Sequence, residues 1–412
     1  MQRADNKKLF SSNWGFSEGI IVGAGVLSAG FIFELAGLSL NLPGHPVNLL
    51  MGLLLVLMII YLYRTSNDHS LTKWLAGVPG SISAFFTFSL MALCIALIPQ
   101  SGNLQGWRHA LGLDSVTRSW PYVLSVMWLL TSLGLVIYRN ANRPHRRLFF
   151  MFHHLGLWLV LFAGGIGAGE VQKLAVQTVK GENVSEAYTS SGERIRLPFS
   201  LLLTDFNIDY FPPKLVLIDP ETGAMMDKKK SLPFAEVGKT INLHGWEITV
   251  NKVMPSCVPK DGAYMEVDMP GAGSAVFVSI IHKKKWTKKE GWLFTGTDTF
   301  DPEVIQLDAS TILYILKPDP KEYRSILKVT ADDGLEEEIT LTVNNPEKIK
   351  NWDLYQTGYD TEMGKFSQIS IISIVYDPWI SVVYTGIGLM LAGAVSLIFW
   401  GARTKQSNRK KE

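Results

Sequence analysis

Two adjacent imidazoles inside an apolar run are the residues of this sequence best placed to do chemistry. His153 and His154 lie in Phe149-Phe150-Met151-Phe152-His153-His154-Leu155-Gly156-Leu157-Trp158. Polar side chains are costly in lipid, and function is the usual reason to keep them there. His154 is seven residues beyond Arg147, about 10 Å deep if the run is a helix entered from that arginine. Hydrocarbon disfavours a charged ring, and a neutral imidazole offers one bare nitrogen to a metal, haem iron among the frequent recipients. The surrounding phenylalanines, Met151 and Trp158 suit a flat apolar macrocycle. The competing reading is that the pair hydrogen-bonds between helices or reaches toward headgroups. Neighbouring helical residues point about 100° apart, so only one of the two faces any given site.

The other candidates are weaker. Glu34, late in an apolar run, reads as a carboxylate reaching interfacial water, with an ion or substrate contact as the alternative. Cys94 reads as a small apolar filler. Cys257, in Pro255-Ser256-Cys257-Val258-Pro259, reads as an inert buried thiol, with thiol exchange as the alternative. The basic run His282-Lys283-Lys284-Lys285-Trp286-Thr287-Lys288-Lys289 reads as a solvated hairpin; anionic headgroups or an acidic partner are the alternatives. His45, His109 and His244 show no ligand spacing, and neither a phosphate-binding glycine loop nor a hydrolase motif is present. No catalytic residue is assigned.

The elements that position these residues follow from composition. The 412 residues are 47% hydrophobic and 18% charged, below the roughly 25% charge of soluble domains, which places part of the chain in lipid. A net charge of +2 excludes a polyanion such as nucleic acid as the organising partner. Aromatic residues at 11% exclude wholesale disorder. The two cysteines cannot build a disulfide framework or a thiolate cage.

About 20 apolar residues cross a bilayer as a helix. Six stretches are read as spans: Ile20–Leu38, Val47–Tyr63, Ile82–Ile98, Pro121–Tyr138, Leu148–Gly167 and Trp379–Trp400, the second and third being short. With the N-terminus inside, the segments 1–14, 64–73, 139–147 and 402–412 hold 14 lysines and arginines, whereas the two short outer loops hold only Arg108 and Arg118. The asymmetry predicts cytoplasmic termini and a large outer region. The fold class is therefore a polytopic α-helical membrane protein with a mainly β extracytoplasmic domain. Residues 1–170 form the membrane region with five spans, 171–377 the β domain, and 378–412 the final span with a basic tail. In the outer part Trp246, Ile248 and Val250 alternate with Glu247 and Thr249, the period of a half-buried strand. Ser325–Thr330 and Glu337–Val343 flank Asp332-Asp333-Gly334 as a hairpin, and Leu215–Ile218 runs into a turn. A sandwich or open barrel follows.

Several stretches, in order, resemble one family. They are Ser119-Trp120-Pro121-Tyr122-Val123-Leu124, then His154-Leu155-Gly156-Leu157-Trp158-Leu159 leading through Gly169 to Glu170-Val171-Gln172-Lys173-Leu174, then Lys180-Gly181-Glu182. Leu197-Pro198-Phe199 and Phe211-Pro212-Pro213-Lys214-Leu215 follow, and Trp352-Asp353-Leu354-Tyr355-Gln356, Tyr359-Asp360, Tyr376-Asp377-Pro378-Trp379 and Val383-Tyr384-Thr385-Gly386 complete the set. Together they are similar to the ResB-type (CcsB-like) subunit of system II cytochrome c maturation, over roughly residues 119–400. Residues 1–118 match it less clearly.

The resemblance implies a bacterial inner-membrane subunit that works with a ResC/CcsA-type partner. The pair moves haem b, as cargo, outward and presents it for thioether attachment to apocytochrome c. A thiol-reducing thioredoxin-like protein would be a further partner. The subunit would not be catalytic alone. The position matching the family's inner-side haem ligand is His154, with His153 the lesser candidate. The alternative from another class is a membrane-tethered sensor or scaffold with a ligand-binding outer β domain.

Overall fold

The computed structural model describes residues 14–38, 40–100, 106–141, 148–226, 231–283 and 287–409. Arg3, Lys7, Lys8, Arg143, Arg146, Arg147, Lys410 and Lys411 of the inner segments, and Lys284, Lys285 and Trp286 of the basic run, lie outside them. The chain divides into a helical unit, residues 1–171 and 376–412, and a β unit, Gln172–Val375.

The helices are α1 (Phe16–Leu35), α2 (Val47–Ser66), α3 (Ser70–Leu75), α4 (Val78–Leu97), α5 (Trp107–Ala110), α6 (Trp120–Ala141), α7 (Leu148–Ile166) and α8 (Ile380–Arg409). Among the described residues five stretches, Phe16–Leu35, Val47–Ser66, Val78–Leu97, Trp120–Ala141 and Phe149–Gly169, are long and apolar enough to cross a membrane. Six were expected. After Trp379, the sixth expected span falls within a helix that runs Ile380–Arg409, whose apolar sequence continues past Ser396 through Leu397-Ile398-Phe399-Trp400. The second and third spans are not short: each helix has 20 residues. The fourth helix gains its first turn at Val78-Pro79-Gly80, because proline is tolerated where no intrahelical N–H bond is required.

At the centre stands α6, with α1, α2, α4 and α7 packed around it. Of its apolar stretch 61% is buried, against 11–28% in the other four. Its core positions Val126, Leu130 and Leu135 meet Leu55 and Ile59 of α2, while Leu129 and Leu133 meet Ala84 of α4.

Two large cores, with a smaller cluster of Met254, Cys257, Ala275 and Phe294, build the β unit. In the larger sheet the strands run Glu336–Thr342, Pro320–Ala331, Arg194–Tyr210, Asn183–Thr189, Gln172–Val179, Ile369–Tyr376, Trp352–Tyr359 and Glu347–Ile349. Leu341 from one end of this order and Leu354 from the other share one core with Leu201 and Ile372, so the sheet curls onto itself. The Asp332-Asp333-Gly334 hairpin is present, with Leu327 opposite Ile339 and Val329 opposite Glu337. Inside the curl Ser325 and Ser370 hydroxyls lie 2.8 Å apart and Gln356 Nε2 donates to Ser370 Oγ at 3.0 Å, all three buried.

The second core lies between two sheets. One is three-stranded, built from Ile305–Asp308, Thr311–Leu316 and Lys214–Ile218. The other contains Thr240–Leu243, Trp246–Lys260, Ala263–Glu266, Gly273–His282 and Lys288–Phe294. Ile248, Val278 and Leu293 of the larger sheet close on Leu217, Leu313 and Ile315 of the smaller one. The alternation at Trp246, Ile248 and Val250 points these three residues inward. Open barrel and sandwich are thus both present.

Candidate functional site

Unbroken by proline, the run from Leu148 forms α7, and two faces of this helix are separately engaged. Phe149, His153, Gly156 and Val160 follow one another at i+3 or i+4 and face α8. A Cβ built on Gly156 would lie 2.4 Å from Gly386 O and 2.5 Å from Met390 N, and one on Gly393 would lie 2.5 Å from His153 N. The two backbones therefore touch, and only glycine fits between them. His153 belongs to this face, and its Nδ1–H donates to Met390 O at 3.2 Å.

His154 lies on the other face. Phe150, His154, Trp158 and Phe162 recur every four residues and form a ladder of rings. The Phe150 and His154 centroids are 3.8 Å apart, and Trp158 stacks on Phe162 at 4.6 Å with 17° between planes. Trp158 Nε1 donates to Leu130 O of α6 at 3.0 Å, and Gly52 of α2 packs on the Phe162 ring. His154 is half-buried, and its Nδ1 lies 2.8 Å from Phe150 O of its own helix. A carbonyl only accepts, so Nδ1 carries the proton and Nε2 of the neutral ring is left bare. Among the described residues Nε2 has no hydrogen-bond partner. The imidazole is thus oriented by a second-atom hydrogen bond, as ligating histidines commonly are. The two histidine rings stand 76° apart in plane with centroids 5.7 Å apart, so they present different directions.

Glu34 is half-buried and engages the start of another helix. Its carboxylate accepts the backbone N–H of Trp120 at 2.6 Å, while the Trp120 indole donates to Leu38 O at 2.7 Å. The first N–H groups of a helix lack intrahelical acceptors, and α1 supplies one to α6 across 86 positions of sequence. A second polar junction was not foreseen. Glu170 Oε1 accepts from Trp379 Nε1 at 3.1 Å and from Asn48 Nδ2, which also donates to Ile166 O at 3.1 Å. These donors, Trp379 first and then Asn48, together with the nearby His45, hold the Glu170 carboxyl below its ordinary value. A lone asparagine at the head of the apolar run Val47–Tyr63 was the signal available for it.

Cys94 is half-buried beside the Met91, Leu113 and Val116 cluster. Cys257 is fully buried, and burial, followed by Glu266, pushes its thiol up to about 11. The thiolate is the reactive form. In a Cys94→Ser background, folded protein is therefore expected to resist maleimide at pH 7, with full labelling after denaturation. Labelling within minutes of the folded chain would make Cys257 an exchange thiol.

The described part of the basic run closes a hairpin in which His282 N donates to Thr287 O at 3.0 Å and Lys283 pairs with Glu247 at 3.4 Å. His109 Nδ1 lies 2.9 Å from Asp114 Oδ2, His45 is exposed, and His244 occupies a turn at φ 46°. Among the described residues no three His, Cys, Asp or Glu side chains gather as a metal cluster. No protein-family model and no curated protein matches the chain.

Proposed function

We propose that this chain is a ResB-type subunit of system II cytochrome c maturation. It receives haem b from the inner side at His154, works beside a ResC/CcsA-type membrane subunit, and turns its β unit toward apocytochrome c outside. Both termini are cytoplasmic in this reading, as the lysine and arginine asymmetry requires. Haem is cargo, and thioether formation belongs to the complex as a whole.

One observation carries the reading. His154 stands in a ladder of aromatic rings with Nδ1 engaged by Phe150 O and Nε2 bare. A bare nitrogen among flat apolar side chains suits an iron porphyrin. His153 supports the arrangement differently, by tying α7 to α8 through Met390. The protein supplies ligation, orientation and an apolar surface, which is the usual division of labour with such groups.

The test is the visible spectrum of the full chain, purified after co-expression with its membrane partner. Wild type is expected to carry haem, His154→Ala to lose about nine-tenths of the Soret absorbance, and His153→Ala to keep most of it. Haem-free wild type would instead favour a tethered scaffold whose β unit binds an unrelated ligand.

A further inference from the structure

An open cleft of about 740 Å³ lies where α2 ends and α3 begins. Its walls include Tyr63, Arg64, Ser66, Asn67, His69 and Tyr138. The Tyr63 and Tyr138 rings are 4.9 Å apart, and Arg64 Nε donates to Tyr138 OH at 3.1 Å. Among the described residues the terminal guanidinium nitrogens of Arg64 have no acceptor. His69 Nδ1 is taken by Leu71 N, leaving its other ring nitrogen for the cleft. The one carboxylate in the lining, Asp68, is paired with Lys73 at 3.2 Å. The cleft therefore sets the terminal guanidinium nitrogens of Arg64 and a ring nitrogen of His69 beside an aromatic wall, an arrangement suited to an oxyanion attached to an apolar body.

Helix register sets the height of this cleft. Trp158 of α7 meets Leu130 of α6, and Gly165 lies against Val126, so the two helices run antiparallel. Counting inward from these contacts places Tyr138 level with the segment from Phe150 to His153. It is thus within about one turn, roughly 5 Å along the axis, of His154. Both features belong to the helical unit, at the end that the basic residues assign to the inner side.

We infer that the Arg64–Tyr138 cleft binds the propionate carboxylates of the haem whose iron His154 takes. This inference rests on the proposed function and adds what holds the other end of the cargo. A guanidinium fixed through Nε presents its two remaining nitrogens as a pair, the geometry that carboxylates match. The aromatic wall then covers the adjoining edge of the macrocycle. Asp68 is fully exposed at the rim and lies 3.2 Å from Lys73, so solvent and that ammonium screen its charge from the carboxylates.

The experiment uses the full chain in phosphatidylcholine nanodiscs, titrated with haem and with haem dimethyl ester, whose carboxylates are blocked. Arg64→Gln is expected to weaken haem about tenfold while leaving the His154-dependent band position and the ester affinity unchanged. Tyr138→Phe, which frees Arg64 to swing, should weaken haem less. Equal wild-type affinity for haem and ester, or haem binding untouched by Arg64→Gln, overturns the inference and leaves the His154 reading standing. Failure of wild type to bind either compound overturns both. If phosphatidylglycerol binding alone depends on Arg64, the cleft is a lipid-phosphate site and the inference is wrong.

Discussion

Gly156→Ala is expected to separate α7 from α8 and to lower stability by roughly 3 kcal/mol or more, the upper part of the range for overpacked interfaces. The added carbon would lie 2.4 Å from Gly386 O and 2.5 Å from Met390 N. Both are main-chain atoms, so relief requires a whole helix to move rather than a side chain. Moving α8 would also lengthen the His153–Met390 hydrogen bond, now 3.2 Å. Gly388, on the same helix, is the internal control, since a Cβ there meets nothing within 4 Å. Gly388→Ala should be neutral or slightly stabilising, because alanine loses less backbone entropy. The check is the unfolding midpoint of both variants in mixed micelles. Equal midpoints would mean that the α7–α8 contact is not made at these glycines.

Removing the Glu170 carboxylate is the second large perturbation. Asn48 is only 1% exposed, and in Glu170→Ala one of its amide hydrogens and the Trp379 indole lose their acceptor. An abandoned buried donor costs about 1–3 kcal/mol. The pH dependence has a definite sign. Hydrogen bonds from Trp379 and Asn48 and the field of His45 hold the folded carboxyl below its ordinary value of 4.5. Above that value the carboxylate is ionised both folded and unfolded, and its contribution is complete. As pH falls below it and through the lower folded value, the contribution is lost. Wild type should therefore lose stability in that acid window, and Glu170→Gln should lose less there. Parallel pH profiles for the two proteins would remove Glu170 from the junction.

What was legible in the sequence follows the reach of each interaction. Apolar runs and strand alternation are local, so Val47–Ser66 and the inward face of Trp246, Ile248 and Val250 could be read directly, to within a few residues. The hairpin at Asp332-Asp333-Gly334 was visible because its turn chemistry and its two flanks lie within about twenty residues. The acceptor role of Glu34 was not legible because it depends on Trp120, far along the chain. The same applies to Asn48 of α2, Glu170 just after α7 and Trp379 just before α8, which no periodicity connects. The short α3 was missed because six residues carry too little pattern to stand out, yet it shapes the wall of the Arg64 cleft. At His154 the sequence supplied residue type and its place within an apolar helix. It did not supply the hydrogen bond to Phe150 O that distinguishes it from His153, since that depends on side-chain rotamers.

The junction of Glu170 with Trp379 has a topological consequence. One residue precedes the outgoing strand segment and the other follows the returning one, yet their side chains touch at 3.1 Å. The chain leaves the helices and comes back through a single doorway, so everything between is a passenger spliced into a helical hairpin. A few glycines and serines could bridge that doorway in its place, leaving the hairpin its own seam of glycines to hold it shut.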